Sequence, residues 1–283
     1  MPEYPEVTVV TNTLNNLVSG RKIIKVEVRN NKFIRNVSVE EFVQQVQGRT
    51  IKNVQNFGKF IVFNFDTDLR MLSHLRMAGK FYVYDLELDK DFLFNLHNYV
   101  YFYLDNQKVM IYNDSRQFGG FELVDESDKR SIYEIKKLAQ LPGDIDVDEL
   151  YKKLQRKNIS IKSVLLDQSL VLGIGNIYAD EALFKSKIYP MTKCNQVSKK
   201  ELAILLKNAQ EIMDQSIKFG GSSVHTYQSV NSAKGTFQNQ LRVYGRAGKV
   251  CLSCGKSNII KVKLDFKANG RGTSYCPNCQ KEV

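Results

Sequence analysis

Tyr99-Val-Tyr-Phe-Tyr-Leu104, then Asp105-Asn-Gln107, then Lys108-Val-Met-Ile-Tyr112 is the stretch that decides the fold of the first half of the chain. Aromatic and β-branched residues dominate both outer runs, as in strands, and the polar triplet between them reads as a turn. The same two-residue period extends outward through Lys22–Val28, Lys59–Phe65 and Lys80–Tyr84. Many short strands between about residue 22 and residue 125 predict an antiparallel sandwich or barrel. A helix precedes it over residues 5–19, with Pro5 suited to the first turn and Gly20 to the end.

Beyond residue 125 the period changes. Residues 129–146 are charged and carry Leu141-Pro142-Gly143, which predicts a linker between a domain at 1–128 and one at 147–240. Helical periodicity follows over 147–218, clearest in Ile161–Leu166, Asn176–Phe184 and Ser198–Ile217, with a tight turn at Leu172-Gly173-Ile174-Gly175-Asn176. Residues 220–240, rich in Gly, Ser, Asn and Gln, predict a loop. The 283 residues are 43% hydrophobic, enough for real cores, yet no run approaches the roughly 18 apolar residues that span a membrane. No apolar leader segment is visible, which predicts a reducing cytoplasmic setting.

The last segment, 241–283, holds Cys251-Leu-Ser-Cys254 and Cys276-Pro-Asn-Cys279, with 21 residues between the pairs. Two such knuckles suit one tetrahedral thiolate zinc site, although the gap exceeds the usual roughly 15–20 residues. Two disulfides are the alternative, disfavoured by a reducing compartment. Cys194 stands alone and reads as a packed thiol. Between the knuckles runs Lys261-Val-Lys-Leu-Asp-Phe-Lys-Ala-Asn-Gly-Arg-Gly272, a basic ribbon whose arginine is flanked by glycines. Nine of the 41 Lys and Arg fall in 241–283 against Asp265 and Glu282, so this segment carries most of the net charge of +11. A basic zinc ribbon favours nucleic acid as the polyanionic partner.

At the other end, Met1-Pro2-Glu3-Tyr4-Pro5-Glu6 offers a reactive group. Removal of Met1 would expose the secondary amine of Pro2. An α-amine titrates near about 8, so about a tenth is free base at neutral pH. Such an amine condenses with an aldehyde to a cationic iminium, an electron sink for elimination. Glu3 adjoins it, and Glu6 lies three residues on, on the same side of the opening turn. One could move protons while the other steadies the cation. Equally, both could complement the helix dipole.

Taken together, these segments resemble the formamidopyrimidine-DNA glycosylase family over nearly the whole chain. The opening resembles the family's Met-Pro-Glu-Leu-Pro-Glu-Val start. Leu165-Leu-Asp-Gln-Ser-Leu-Val-Leu-Gly-Ile-Gly-Asn-Ile-Tyr-Ala-Asp-Glu-Ala-Leu-Phe184 looks like its helix–two-turn–helix signature, and Gly235-Thr-Phe-Gln238 with Val243-Tyr-Gly-Arg246 match the approach to its zinc finger. The resemblance implies an N-terminal β-sandwich with a flanking helix, then a helix–two-turn–helix domain, then a finger held by one structural zinc ion on Cys251, Cys254, Cys276 and Cys279.

It further implies a bifunctional DNA repair glycosylase and lyase acting on oxidised purines in double-stranded DNA. Pro2 would be the nucleophile, Glu3 the acid/base and Glu6 its helper. Lys59, in Asn56-Phe-Gly-Lys59, would contact phosphate and assist proton transfer. Met77 in His74-Leu-Arg-Met77-Ala-Gly79, with Arg116 and Phe118 in Asp114-Ser-Arg116-Gln-Phe118-Gly119, would fill the hole left by a flipped base; the glycines favour exposed loop tips, although Met77 and Phe118 alone would read as core. Lys162, Asn176 and Arg271 would grip phosphates, Asn176 from a helix start, and His74 would also be a DNA-binding residue. A monomer associated with the bacterial nucleoid through its DNA is the expected working form.

The chain departs from the family pattern at Gln117, where a second basic residue is common, at Ala78, at His225 and in the long cysteine gap. The capping-type loop over Val224–Gln240 favours oxidised purines over the pyrimidines of the endonuclease VIII branch. A noncatalytic binder of damaged or abasic DNA is the rival from another class.

Overall fold

The computed structural model describes residues 2–87, 95–223 and 229–282. Met1 and His225 lie outside the described residues. Two compact units are present: Met1–Ser131 with Phe219–Thr236, and Ile132–Lys218 with Phe237–Val283.

The first unit opens with α1 (Tyr4–Val18), which starts one residue before the expected helix because Glu3, in extended conformation, is the N-cap. It ends where Ser19 N–H caps the Asn15 carbonyl at 3.2 Å and Gly20 turns left-handed with φ 76°. There follow β1 (Ile23–Val28), α2 (Val39–Val46), β2 (Ile51–Phe57), β3 (Phe60–Phe65), β4 (Arg70–His74), β5 (Gly79–Asp85), β6 (Asn98–Leu104), β7 (Lys108–Asp114) and β8 (Gly120–Val124). They pair as two four-stranded antiparallel sheets, ordered β1-β6-β7-β5 and β2-β3-β4-β8. The two strands read from the opening stretch are β6 and β7, and Gln107, at φ 61°, makes the left-handed turn between them.

The sheets enclose an aromatic core. Phe121 of β8 meets Tyr112 of β7 at 5.0 Å, Phe102 of β6 at 5.5 Å and Phe81 of β5 at 6.2 Å between ring centroids, all edge to face. Phe63 of β3 closes on Phe81 at 5.8 Å. Edge-on rings place a positive rim against a negative face, so the cluster gains more than its buried area alone. Val7, Val10, Leu14 and Val18 of α1 are buried in the same core, at helical spacing on one face.

Residues 219–223 and 229–236 follow α7 in sequence but pack with the sandwich. Val230 enters the aromatic core. The Asn231 side chain accepts from Val83 N–H at 2.9 Å and donates to Val83 carbonyl at 3.1 Å, standing in for a neighbouring strand at the edge of β5. Thr236 N–H donates to Phe219 carbonyl at 2.9 Å and closes the neck of the segment.

The second unit contains α3 (Ile132–Lys136), α4 (Val147–Leu154), α5 (Ile161–Leu166), α6 (Asn176–Lys185), α7 (Lys199–Lys218) and the hairpin of β9 (Ile260–Lys263) with β10 (Gly272–Tyr275). Short α3 occupies part of the stretch read as linker. Between α5 and α6, Gly173 adopts φ 88°, and Gln168 braces the double turn by accepting from Gly173 N–H at 2.9 Å and donating to Ile174 carbonyl at 3.0 Å. Among the described residues no helix is long and apolar enough to cross a membrane.

Phe121 is fully buried and touches rings from the opposite sheet. Phe121→Ala is therefore expected to cost about 3–5 kcal/mol, read as a lower urea midpoint by circular dichroism.

Candidate active site and metal centre

The start of α1 is a reciprocal capping box. Glu6 Oε2 accepts from Glu3 N–H at 2.9 Å, and the Glu3 side chain accepts from the Glu6 N–H. Glu6 Oε1 also accepts from Ser222 N–H at 2.9 Å. Pro2, Glu3 and Glu6 are all buried. Lys59 Nζ forms an ion pair with Glu3 Oε2, both side chains being mostly shielded from solvent. Lys59 sits at the β2–β3 turn, where Gly58 takes φ 58°. Asn56 Nδ2 donates to Gly58 carbonyl at 3.3 Å and to Thr8 Oγ1 at 3.0 Å, tying that turn to α1. Local helix capping and one strand turn thus bring Pro2, Glu3, Glu6 and Lys59 to one place, with a proton acceptor and a donor side by side.

Two loops of the same unit carry Met77, Arg116 and Phe118. Met77 is 37% exposed and Phe118 48%, so both are surface tips rather than core. Arg116 is exposed, its guanidinium 4.9 Å from the Phe118 ring centroid. Below them, Asp114 is fully buried and shapes the second loop: Oδ1 accepts from Arg116 N–H at 3.0 Å, and Oδ2 from Phe118 and Gly119 N–H at 3.0 and 2.9 Å. Arg35 donates to the Phe118 and Gly119 carbonyls. In the first loop, His74 Nδ1 accepts from Arg76 N–H at 3.0 Å, so His74 holds the turn that presents Met77.

Tyr112 joins both loops. Its hydroxyl donates to His74 carbonyl at 3.3 Å and fills the space over Gly79 and Gly119. Burial pushes its phenol well above the usual tyrosine range. Gln117 adopts φ 56° and donates through Nε2 to Tyr99 Oη at 2.9 Å, which directs the side chain to a neighbouring strand. Ala78 is buried.

In the second unit Lys162 requires a correction. Its side chain is fully buried in an ion pair with fully buried Asp180, Nζ to Oδ1 at 2.6 Å, so it has no face for a phosphate. Nζ also donates to Gly272 carbonyl and Thr273 Oγ1, each at 3.0 Å, while Asp180 Oδ2 accepts from Ser274 N–H at 2.9 Å. Burial pushes Asp180 up to about 6 and Lys162 down, against their mutual attraction. The adjacent Glu181 accepts from Arg242, Val243 and Tyr244 N–H at 2.9, 2.9 and 2.8 Å. Two consecutive acids of α6 therefore hold both approaches to the finger, and neither was singled out in the sequence.

Asn176 is the first residue of α6, with Gly175 at the cap; its Nδ2 donates to Gly272 carbonyl at 2.9 Å. Arg271 is exposed, its backbone fixed by Leu264 N–H to Arg271 carbonyl at 2.8 Å.

The four cysteine sulfurs of the finger converge, all within 4.8 Å of one another. Cys251 and Cys279 sulfurs are 3.9 Å apart and those of Cys254 and Cys276 3.7 Å. A disulfide needs about 2.05 Å, so all four thiols are free and positioned for a metal ion. Tetrahedral thiolate ligands about 2.3 Å from zinc stand nearly this far apart. Gln280, buried, accepts from Cys276 N–H at 3.1 Å and donates to Ile188 carbonyl at 2.8 Å, anchoring the second knuckle to the helices. Cys194 is buried against the Leu154 and Lys157 carbonyls and stands apart from the cluster.

Comparison with known proteins agrees with this arrangement. Residues 1–121 match the formamidopyrimidine-DNA glycosylase N-terminal domain, and residues 139–228 the formamidopyrimidine-DNA glycosylase H2TH domain. The formamidopyrimidine-DNA glycosylase of Mycoplasma mobile is 41% identical over 280 residues, covering 99% of each chain. That of Mycoplasmopsis pulmonis is 43% identical over 282 residues, covering 100% of this chain and 99% of the relative. A Lactococcus lactis Fpg variant in complex with Fapy-dG DNA superposes with TM-score 0.89 at 35% identity, covering 99% of this chain and 100% of the other. MutM in complex with carbocyclic 8-oxo-G DNA gives TM-score 0.88 at 34% identity, with the same coverage. The chain belongs to the formamidopyrimidine-DNA glycosylase family.

A Cβ at Gly119 would stand 1.8 Å from Tyr112 Oη and 2.5 Å from His74 carbonyl oxygen. Gly119→Ala is expected to destabilise the fold by about 2 kcal/mol or more, as overpacking does. Tyr112→Phe in that background should recover part of the loss by removing the nearer atom, which urea unfolding of the single and double variants will measure.

Proposed function

We propose that the chain is a base-excision DNA repair enzyme, a bifunctional glycosylase that evicts an oxidised purine from duplex DNA and then cuts the strand. The observation that carries the reading is the largely shielded Glu3–Lys59 ion pair at the residue adjoining Pro2. Membership of the family and the damaged purines named in the solved relatives favour 8-oxoguanine and formamidopyrimidines over oxidised pyrimidines.

In this reading Pro2, its amine freed by removal of Met1, attacks the anomeric carbon. The bond from that carbon to the base breaks, its electron pair leaves with the base, and the base takes up a proton. The amine, a free base with one N–H, loses that single proton after attack, and the sugar ring then opens to the iminium. Glu3 gives a proton to the opening ring oxygen and receives one back. The iminium acidifies the C2′ proton, the Glu3 carboxylate takes it, and the C3′–oxygen bond breaks with the 3′-phosphate leaving in β-elimination. Loss of the C4′ proton then expels the 5′-phosphate in δ-elimination, and water releases the sugar fragment from Pro2. Lys59 orients the Glu3 carboxylate and offers a cation to the neighbouring phosphate. Glu6, with both oxygens accepting backbone N–H groups, positions Glu3 rather than relaying protons.

Met77 and Phe118 fill the vacated stack, and Arg116 hydrogen-bonds the orphaned cytosine. His74 acts through the Met77 turn. Arg271 and the backbone start of α6 at Asn176 take phosphates, with Lys162 supporting the finger from inside. A single zinc ion on Cys251, Cys254, Cys276 and Cys279 is a structural cross-link. The enzyme works as a monomer on nucleoid DNA in the cytoplasm.

Borohydride added during reaction with an 8-oxoguanine·cytosine duplex is expected to trap a covalent protein–DNA adduct, visible by gel shift and mass. Pro2→Gly should abolish the proline-specific adduct and reduce base excision at least a hundredfold; an undiminished adduct overturns the mechanism. Faster excision of thymine glycol than of 8-oxoguanine would move the enzyme to the pyrimidine branch, and binding of abasic duplex without nicking would favour the noncatalytic rival. For the metal, plasma mass spectrometry should count one zinc per chain. Chelation, or Cys276→Ser, should release it and weaken duplex binding at least tenfold, because the finger loses its cross-link.

A further inference from the structure

Residues 264–271 connect β9 to β10, and one of them is apolar without being buried. Phe266 is 70% exposed. The turn that presents it is nevertheless built. Asp265 and Phe266 have φ 51° and 54°, left-handed conformations that residues with a Cβ adopt only at a cost. Leu264 is buried beside them. Lys267 N–H donates to Leu264 carbonyl at 3.2 Å, and Gly270 N–H to Lys267 carbonyl at 2.8 Å. A Cβ on Gly270 would meet Leu264 carbonyl oxygen at 2.4 Å, so the chain closes tightly there. Ser160 Oγ donates to Asp265 Oδ2 at 3.3 Å, which ties the turn to the start of α5. The turn holds a large apolar ring outward, where burial would ordinarily place it inward.

The surroundings of the ring are cationic. Lys261, Lys263, Lys267 and Arg271 are all exposed, and the one acid between residues 260 and 272, Asp265, is engaged by Ser160. An exposed aromatic ring amid lysines and arginine matches a nucleotide: cations for the phosphates, a ring for the face or edge of a base.

We propose that Phe266 is a DNA-contacting residue of the finger, its ring packing against a nucleobase of the duplex while Lys263, Lys267 and Arg271 take flanking phosphates. The inference rests on the DNA-repair reading above and adds to it a neutral contact. Phe266 should therefore contribute to affinity without contributing to its salt dependence, whereas each lysine contributes to both.

The chain has no tryptophan, so Phe266→Trp introduces a single reporter. Titration with a duplex carrying a stable abasic analogue is expected to quench its emission and shield it from acrylamide. Ile24→Trp, at a 53% exposed site on β1, should be unaffected. Phe266→Ala should weaken duplex binding about tenfold with an unchanged salt slope. Lys263→Ala or Lys267→Ala should flatten that slope by about one. The ring lies outside the core, so zinc content and circular dichroism of Phe266→Ala should match wild type. If wild type cuts the 8-oxoguanine duplex but the Phe266→Trp emission ignores DNA, or Phe266→Ala binds as wild type, the inference falls alone. If wild type neither binds nor cuts damaged duplex, it falls together with the repair reading.

Discussion

A helix begins with N–H groups that no helical carbonyl can satisfy. In α1 this constraint is met by Glu3 and Glu6, the two carboxylates that flank Pro2. The alternative readings of these acids, helix capping or chemistry, are therefore not exclusive. The capping box fixes Glu3 in extended backbone at the mouth of the helix, and Glu6 spends both oxygens on N–H groups, one from Glu3 and one from Ser222. A carboxylate so engaged is a poor proton carrier and a good brace. Glu3 keeps its other interaction for Lys59. The site thus inherits its precision from secondary structure, since α1 is anchored by Val7, Val10, Leu14 and Val18 in the aromatic core.

The second unit solves a different problem with the same residue type. A finger with a two-stranded hairpin has almost no core of its own, and small domains of this kind need a cross-link. The four cysteines are placed to supply one through a metal ion. The buried Lys162–Asp180 pair supplies another, because Lys162 reaches Gly272 and Thr273 while Asp180 takes Ser274. Burial drives both groups toward their neutral forms, so the pair is weak evidence for added stability. Its geometric effect is plain: it fixes β10, and with it the backbone on which Arg271 stands.

Much of this was legible in sequence where the signal is local. The strands from 99 to 112 are marked by dense aromatic and β-branched residues, and the helices at 161–166 and 176–185 fall where the sequence predicts them. Strands β2, β4 and β8 were not singled out, because β2 mixes Lys, Asn and Gln with its apolar residues and the other two are five residues long. Met77 and Phe118 read as core on hydrophobicity alone; only the neighbouring glycines hinted at loop tips. Lys162 was misread for the opposite reason. A lysine suggests a surface, and its counter-ion lies 18 positions away on another helix, so nothing near it in the chain announces burial. Asn231, whose amide pairs with β5 across 148 residues, was invisible in the same way.

The loops that would enter DNA illustrate why such supporting residues matter more than their anonymity suggests. Met77, Arg116 and Phe118, in the proposed wedge role, must stay extended in water, where hydrophobic collapse would draw two of the three inward. Their exposure persists because the backbone beneath them has no freedom to fold over. Asp114 accepts from three loop N–H groups, those of Arg116, Phe118 and Gly119, Arg35 holds two carbonyls, and Tyr112 presses on Gly79 and Gly119 at once. One buried phenol therefore couples the loop carrying Met77 to the loop carrying Arg116 and Phe118. The two loops share one packed support in the sandwich core, so the backbone beneath all three side chains is fixed from the same place.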